Sequence, residues 1–188
     1  MIQRYELTET VGGFSQDEAL SKGVILIEER DNFPLPVVLS EQQHNVENAV
    51  IALLNSIHTP DPMDQMRRDL MIREALANQM IHGNRGNAVL KSDIHLIVEQ
   101  QRGDAGIALL SCVLLLDDHS PRFDLNEVPN PADDENLEKT TGRGLMFIRE
   151  VGRATMVQIP RENNGKTIVY SWTEHTETSE NDGGSGGT

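Results

Sequence analysis

The sequence predicts an α+β fold on three observations: two helical stretches follow one another over 40–82, an alternating segment and a continuous apolar one lie across a turn within 93–116, and a hairpin signal occupies 154–172. With 188 residues and 37% hydrophobic content, the chain holds one domain with a real core, and a second full domain would be cramped.

The first 35 residues carry mixed signals: Gly12-Gly13 breaks the chain, Val24 to Ile27 reads as a short strand, and Pro34 and Pro36 close the segment. It is read as an N-terminal extension, 1–35, of unassigned structure ahead of a domain at 36–174. Ser40 and Gln43 form a capping box, and Val46, Ala49, Val50, Leu53, Leu54 and Ile57 then repeat at helical spacing. This helix should end near Thr59, because Pro60 disfavours helical geometry in the residue before it. Asp61 can accept hydrogen bonds from free first-turn amides with Pro62 at the first helical position, so a second helix should run to about His82 and end on a left-handed Gly83. On it Met66, Leu70, Ala77 and Ile81 form the expected core stripe, and Glu74, Asn78 and His82 line up beside it at i, i+4 and i+8.

From Asp93 to Gln100 apolar and polar residues alternate, with Ile94, Leu96 and Val98 on one face, and Arg102-Gly103-Asp104 reads as a hairpin turn. Ile107 to Leu116 is almost continuously apolar, as in a central buried strand. Residues 124–141 contain two prolines, several acids and no apolar period, the composition of a functional lid. A short helix is expected from Leu145 to Val151, then strands at Ala154 to Ile159 and Thr167 to Trp172 around Asn163-Asn164-Gly165. The tail, 175–188, is expected to be disordered, since Asn181 to Thr188 is too rich in Gly and Ser to pack.

Composition narrows the function classes. No run approaches the roughly 20 apolar residues of a membrane span, and the first residues lack the basic and apolar segments of an export signal, so a cytoplasmic location is expected. Sixteen Lys and Arg against thirty Asp and Glu leave a net charge of −14, the wrong sign for tracking a phosphate backbone, so no direct nucleic-acid partner is expected. That acidity serves solubility or a basic protein partner. Cys112, the single cysteine, lies in an apolar run and reads as a buried structural thiol.

Chemistry is concentrated in three places. Glu74 and Asn78, one helical turn apart, suit a site where the amide oxygen helps ligate a hard cation and the carboxylate accepts a proton or holds a water, although the same spacing decorates many solvated helices. His82 is either a hydrogen-bonded helix-end residue or part of the same site. Gly142-Arg143-Gly144 precedes Leu145, where absent side chains let backbone amides approach an anion such as phosphate; standing alone it would be a simple turn. Asp118, at the end of the buried strand, either accepts from an exocyclic amine or is an ordinary turn aspartate.

In this order the pieces resemble the nucleotide site of the GHKL (Bergerat-fold) ATPase superfamily. The stretch from Glu74 to Asn84, EALANQMIHGN, is similar to its asparagine box, and Gly142 to Arg149, GRGLMFIR, to its second glycine box. Within the superfamily, the short lid and one-domain length resemble the anti-sigma factor serine/threonine kinases, over about residues 36–174.

The resemblance implies a two-layer α/β sandwich, a mixed and mostly antiparallel sheet with helices on one face. It implies ATP and Mg²⁺ as cofactors, with Asn78 helping to hold the metal and Glu74 as the base for an attacking hydroxyl. Asp118 would read the adenine amine, with His82, Phe123 and Leu145 among the nucleotide-binding residues. Gly142 and Gly144 would let the backbone wrap the phosphates, and Arg143 either adds charge there or touches a protein partner. A sigma factor and an anti-sigma factor antagonist are the implied partners, and a homodimer the implied assembly.

One departure stands out. Asp118-His119-Ser120-Pro121-Arg122-Phe123 has serine and arginine where the family has the glycines of Gly-x-Gly-Phe, which puts a side chain near the base and stiffens the lid hinge. Phe123-Asp124 keeps the register, so the site reads as altered rather than absent. The leading expectation is a partner-switching kinase. A protein-binding module on the same fold, with weakened or no nucleotide use, is the alternative. A sensor histidine kinase is not favoured, because His44 lacks the accompanying dimerisation motif.

Overall fold

Period-two burial builds the sheet and period-3.6 burial the layer upon it. The computed structural model describes residues 2–15, 17–18, 37–85, 87, 89–102, 107–124, 144–162 and 164–177. Expectations for the Val24–Ile27 strand, the tip of the turn at 103–106, the lid at 125–141 and the tail at 178–188 lie outside the described residues. The strands are β1 (Ile2–Val11), β2 (Ser92–Arg102), β3 (Ile107–Asp118), β4 (Thr155–Pro160) and β5 (Lys166–Glu177). Among the described residues they form one sheet in the order β1-β2-β3-β5-β4, with every neighbouring pair antiparallel.

Helix α1 (Val37–Ile57) and helix α2 (Pro62–Asn78) pack on this sheet, and α2 continues as a π-helical turn, Gln79–Gly83. A short helix α3 (Gly144–Met146) likewise runs into a π-helical turn, Phe147–Val151. The α+β sandwich expected from the sequence is therefore what the chain forms. Both helical segments that border the candidate site leave α geometry as they reach it, a feature common where backbone is bent for function.

Antiparallel register stacks the inward residues in rows. Leu96 pairs with Leu114, which pairs with Tyr170, which pairs with Met156. Val98, Cys112 and Trp172 form a second row, and Ile94, Leu116 and Ile168 a third. All join one buried cluster with Val46, Val50 and Leu54 of α1 and Met71, Ile72, Ala75 and Leu76 of α2. Each such side chain withdrawn from water contributes about 1.5–3 kcal/mol, offset by the entropy of ordering the chain. Cys112 is part of this core, and burial pushes its thiol far above the usual range, as expected for an inert cysteine.

Three expectations need correction. Helix α1 starts at Val37, so Ser40 lies inside its first turns rather than at a cap. The core stripe of α2 is Arg68, Met71, Ile72, Ala75 and Leu76, continued by Gln79 and Met80, while Met66 and Ile81 are exposed and Leu70 and Ala77 only half-buried. Buried Arg68 and Gln79 disguise that stripe, because a pattern of apolar residues alone passes over them. Gly83 does not take up a left-handed conformation; Arg85 does, at φ 51°. The segment left unassigned above supplies an edge strand, β1 at Ile2–Val11, ending where Gly12 and Gly13 adopt φ 77° and 79°.

Other readings hold. Asp61 caps α2, its Oδ1 accepting from the amides of Met63 at 2.9 Å and Asp64 at 3.2 Å, with Pro62 at the first turn. No helix among the described residues is long and apolar enough to cross a membrane.

Candidate functional site

The last turns of α2 and the start of α3 meet at one point. A β-carbon built on Gly144 would lie 2.8 Å from Glu74 Oε2, 2.8 Å from Asn78 Nδ2 and 3.1 Å from Asn78 Oδ1. Any side chain there would displace the ends of Glu74 and Asn78, so the glycine lets the segment rest directly on the carboxylate and carboxamide. Leu145, half-buried, packs against the core and anchors the segment. Gly142 and Arg143 lie outside the described residues.

Burial raises the pKa of Glu74 above its ordinary 4.5, making it a better proton acceptor than a solvated carboxylate. Asn78 Nδ2 is buried and has no hydrogen-bond partner among the described residues, and the same holds for the oxygen of the neighbouring Gln79 side chain. Glu74 and Asn78 fit a cation bound together with phosphate: the Asn78 carboxamide offers oxygen to the metal, and its nitrogen a donor to an anion. Among the described residues no three His, Cys, Asp or Glu side chains converge on a point that could hold a metal ion.

The other end of the site is built by the π turn after α2. Gln79 Nε2 lies 3.0 Å from Asn84 Oδ1, 2.6 Å from Ser92 Oγ and 2.7 Å from the Asp117 carbonyl, tying the helix end to the start of β2 and the end of β3. That tie brings Gly83 against Asp118, where an added β-carbon would be 2.8 Å from Asp118 Cγ and 2.9 Å from Oδ2. Gly83 thus serves close approach rather than helix termination. His82, its neighbour on the π turn, is exposed.

Asp118 is 3% exposed and paired with fully buried Lys166, its register partner on β5, at 2.9 Å. Its Oδ1 also accepts from the Ser120 amide at 2.7 Å and the Ser120 hydroxyl at 2.6 Å. Phe123 stands beside this cluster, its ring centroid 5.3 Å from Lys166 Nζ. Its backbone is clasped by the Gln158 side chain, which accepts from the Phe123 amide at 3.2 Å and donates to the carbonyl at 2.9 Å.

Of the expected residues, Glu74, Asn78 and Gly144 converge at one end, with Leu145 behind them. Asp118 and Phe123 converge at the other, and His82 stays on the surface. Lys166 and the close approach at Gly83 were missed. Lys166, Ile168, Tyr170 and Trp172 share the inward side of one strand by alternation, so the pattern does place a lysine in the core. What it lacks is the partner, which only the pairing of β3 with β5 reveals.

A sheet with helices packed on it, a carboxylate and carboxamide beneath a glycine at a helix start, and a buried aspartate at a strand end together define a nucleotide-binding domain of the kinase-like ATPase class. A family model described as the histidine kinase-like ATPase domain matches residues 41–172, and the chain belongs to that family. Membership implies ATP as its ligand. No curated protein matches the chain.

Proposed function

We propose that this protein is an ATP-dependent serine/threonine kinase acting as an anti-sigma regulatory factor, which phosphorylates an anti-sigma factor antagonist. The observation that carries the catalytic part is Gly144 resting on Glu74 and Asn78, with the Glu74 carboxyl made more basic by burial. In this reading Asn78 holds Mg²⁺ on the ATP phosphates, and the metal supplies charge neutralisation when bound. Glu74 accepts the proton of the attacking hydroxyl. Gly144, with Gly142 and Arg143, lets backbone approach the phosphates. Asp118 accepts from the adenine amine, and Phe123, Leu145 and His82 border the nucleotide. The regulatory part rests on the resemblance of the sequence to anti-sigma kinases, which also motivates the partners, a sigma factor and its antagonist, the homodimer and a cytoplasmic location.

A second reading has its own support. Ser120 and Arg122 replace glycines at the lid hinge, and Ser120 is hydrogen-bonded to both Asp118 and Lys166. A stiffened hinge favours a protein-binding module with weak or no nucleotide use. One experiment separates the two. The purified chain, Mg²⁺ and ATP labelled at the γ-phosphate, mixed with a candidate antagonist, should label it on Ser or Thr. Glu74→Gln should reduce that labelling by about 10²–10⁴-fold, the usual contribution of a general base. ATP binding without transfer would support the module, and no binding at millimolar ATP would remove the kinase.

A further inference from the structure

Lys166 is the one fully buried lysine among the described residues, and it lies at the nucleotide-base end of the site. Its Nζ has four acceptors for three protons: Ser120 Oγ at 2.6 Å, Asp118 Oδ1 at 2.9 Å, the Pro121 carbonyl at 3.0 Å and the Ser120 carbonyl at 3.1 Å. A buried ammonium is tolerated only with such compensation, and here the compensation leaves it nothing to offer a ligand. It can act only through the groups it holds.

Those groups are the ones that bound the base end. Asp118 Oδ1 is saturated by Lys166 and by the amide and hydroxyl of Ser120. Oδ2 has none of these partners, and the whole carboxylate lies against Gly83, where an added carbon would come within 2.9 Å of Oδ2 and 3.2 Å of Oδ1. With Oδ1 engaged three times, Oδ2 is the carboxylate oxygen left to accept from a ligand. The same lysine donates to the two carbonyls with which the hinge leaves β3, those of Ser120 and Pro121.

We propose that Lys166 is the specificity-determining positioning residue of the nucleotide-base site, holding Asp118 so that Oδ2 alone accepts from the exocyclic amine of a 6-aminopurine. The inference rests on the nucleotide-binding reading above. Lys166 touches no ligand; it decides whether the acceptor for one is in place. Selectivity for the amine should then depend on Lys166, while the phosphate end at Glu74 and Asn78 should not.

The test is a set of titrations by calorimetry with ATP, purine riboside triphosphate, which lacks the 6-amino group, and inorganic tripolyphosphate, each with Mg²⁺. The protein should bind ATP more tightly than purine riboside triphosphate by on the order of tenfold or more, as for a hydrogen bond to a charged group. In Lys166→Met that ratio should fall below about threefold while tripolyphosphate affinity stays within about twofold, the partners at the phosphate end being unaltered. Lys166→Arg, which keeps the cation, should restore part of the ratio. Should Lys166→Met lack a cooperative thermal transition, Lys166→Gln, whose amide still donates to the hinge carbonyls, is expected to show the same loss.

An unchanged ratio in the neutral variants overturns the inference. Equal weakening of all three ligands also overturns it, because that is the signature of a merely structural lysine. Equal affinity of the wild type for both nucleotides removes the amine selectivity and the inference with it, leaving the nucleotide-binding reading intact. Failure of the wild type to bind either nucleotide overturns both.

Discussion

Glu74 shows how a functional carboxylate weighs on the fold that carries it. Its pKa is raised by burial above 4.5, so the folded protein binds this proton more tightly than the unfolded chain does. Stability from this group is therefore present below 4.5 and lost as pH rises through the higher folded value, which leaves a penalty at neutral pH. Glu74→Gln removes that penalty. It should melt at a higher temperature than the wild type at pH 7.5 and not at pH 4, in opposition to its loss of phosphoryl transfer; scanning calorimetry at the two pH values checks this. Gly144→Ala should separate the same two properties in the other direction. Its new carbon meets the ends of flexible side chains, Glu74 and Asn78, which can swing aside. Stability should fall by only about 1 kcal/mol, while ATP affinity should fall by roughly tenfold or more, since the displaced groups are the ones proposed to hold Mg²⁺ and phosphate. Both residues were legible in the sequence as types at a spacing. Their juxtaposition was not, because it depends on α3 packing back onto α2 across some 70 residues of chain.

At the scale of elements, legibility followed the locality of the cause. The cap of α2 is a contact within three residues, and Asp61 and Pro62 announce it directly. Replacing Asp61 by Ala should lower the melting temperature by about 2–4 °C, read in the same calorimeter. β2 and β3 were equally readable, since alternation and apolar continuity are properties of single strands. The face that α2 buries was misread because its stripe contains Arg68 and Gln79. Arg68 is held in the core by Asn55 of α1 and Glu174 of β5, and Gln79 by Asn84, Ser92 and the end of β3. A polar residue can be a core residue when distant elements complete its hydrogen bonds, and those elements are invisible from the helix alone. β1 escaped notice for a related reason. Its inward residues, Tyr5, Leu7 and Val11, are interrupted by Glu9, and the strand is secured by its pairing with β2 over 80 residues away.

For the whole molecule, the response to acid depends on groups that pull in opposite directions. His58 follows the end of α1 and faces Glu174 of β5 and Arg68 of α2. Its Nε2 is buried without a hydrogen-bond partner. Burial lowers its pKa below 6.5, Glu174 opposing and Arg68 reinforcing the shift. The unfolded chain thus takes up this proton more readily, so the contribution of His58 to stability is complete above 6.5 and is lost as pH falls through the lower folded value. Glu74 works against it, gaining stability on acidification toward 4.5. The net slope of stability with pH is therefore a difference, and each group must be isolated by its own substitution. In urea titrations between pH 7.5 and pH 5.5, His58→Gln should lose less stability on acidification than the wild type. The gap should stay under about 1.4 kcal/mol per pH unit, the limit for one proton. Equal slopes in the two proteins would mean that His58 is protonated alike in the folded and unfolded chains. A gap of the expected sign would identify the junction of α1, α2 and β5, where His58 meets Arg68 and Glu174, as an acid-sensitive joint of the fold.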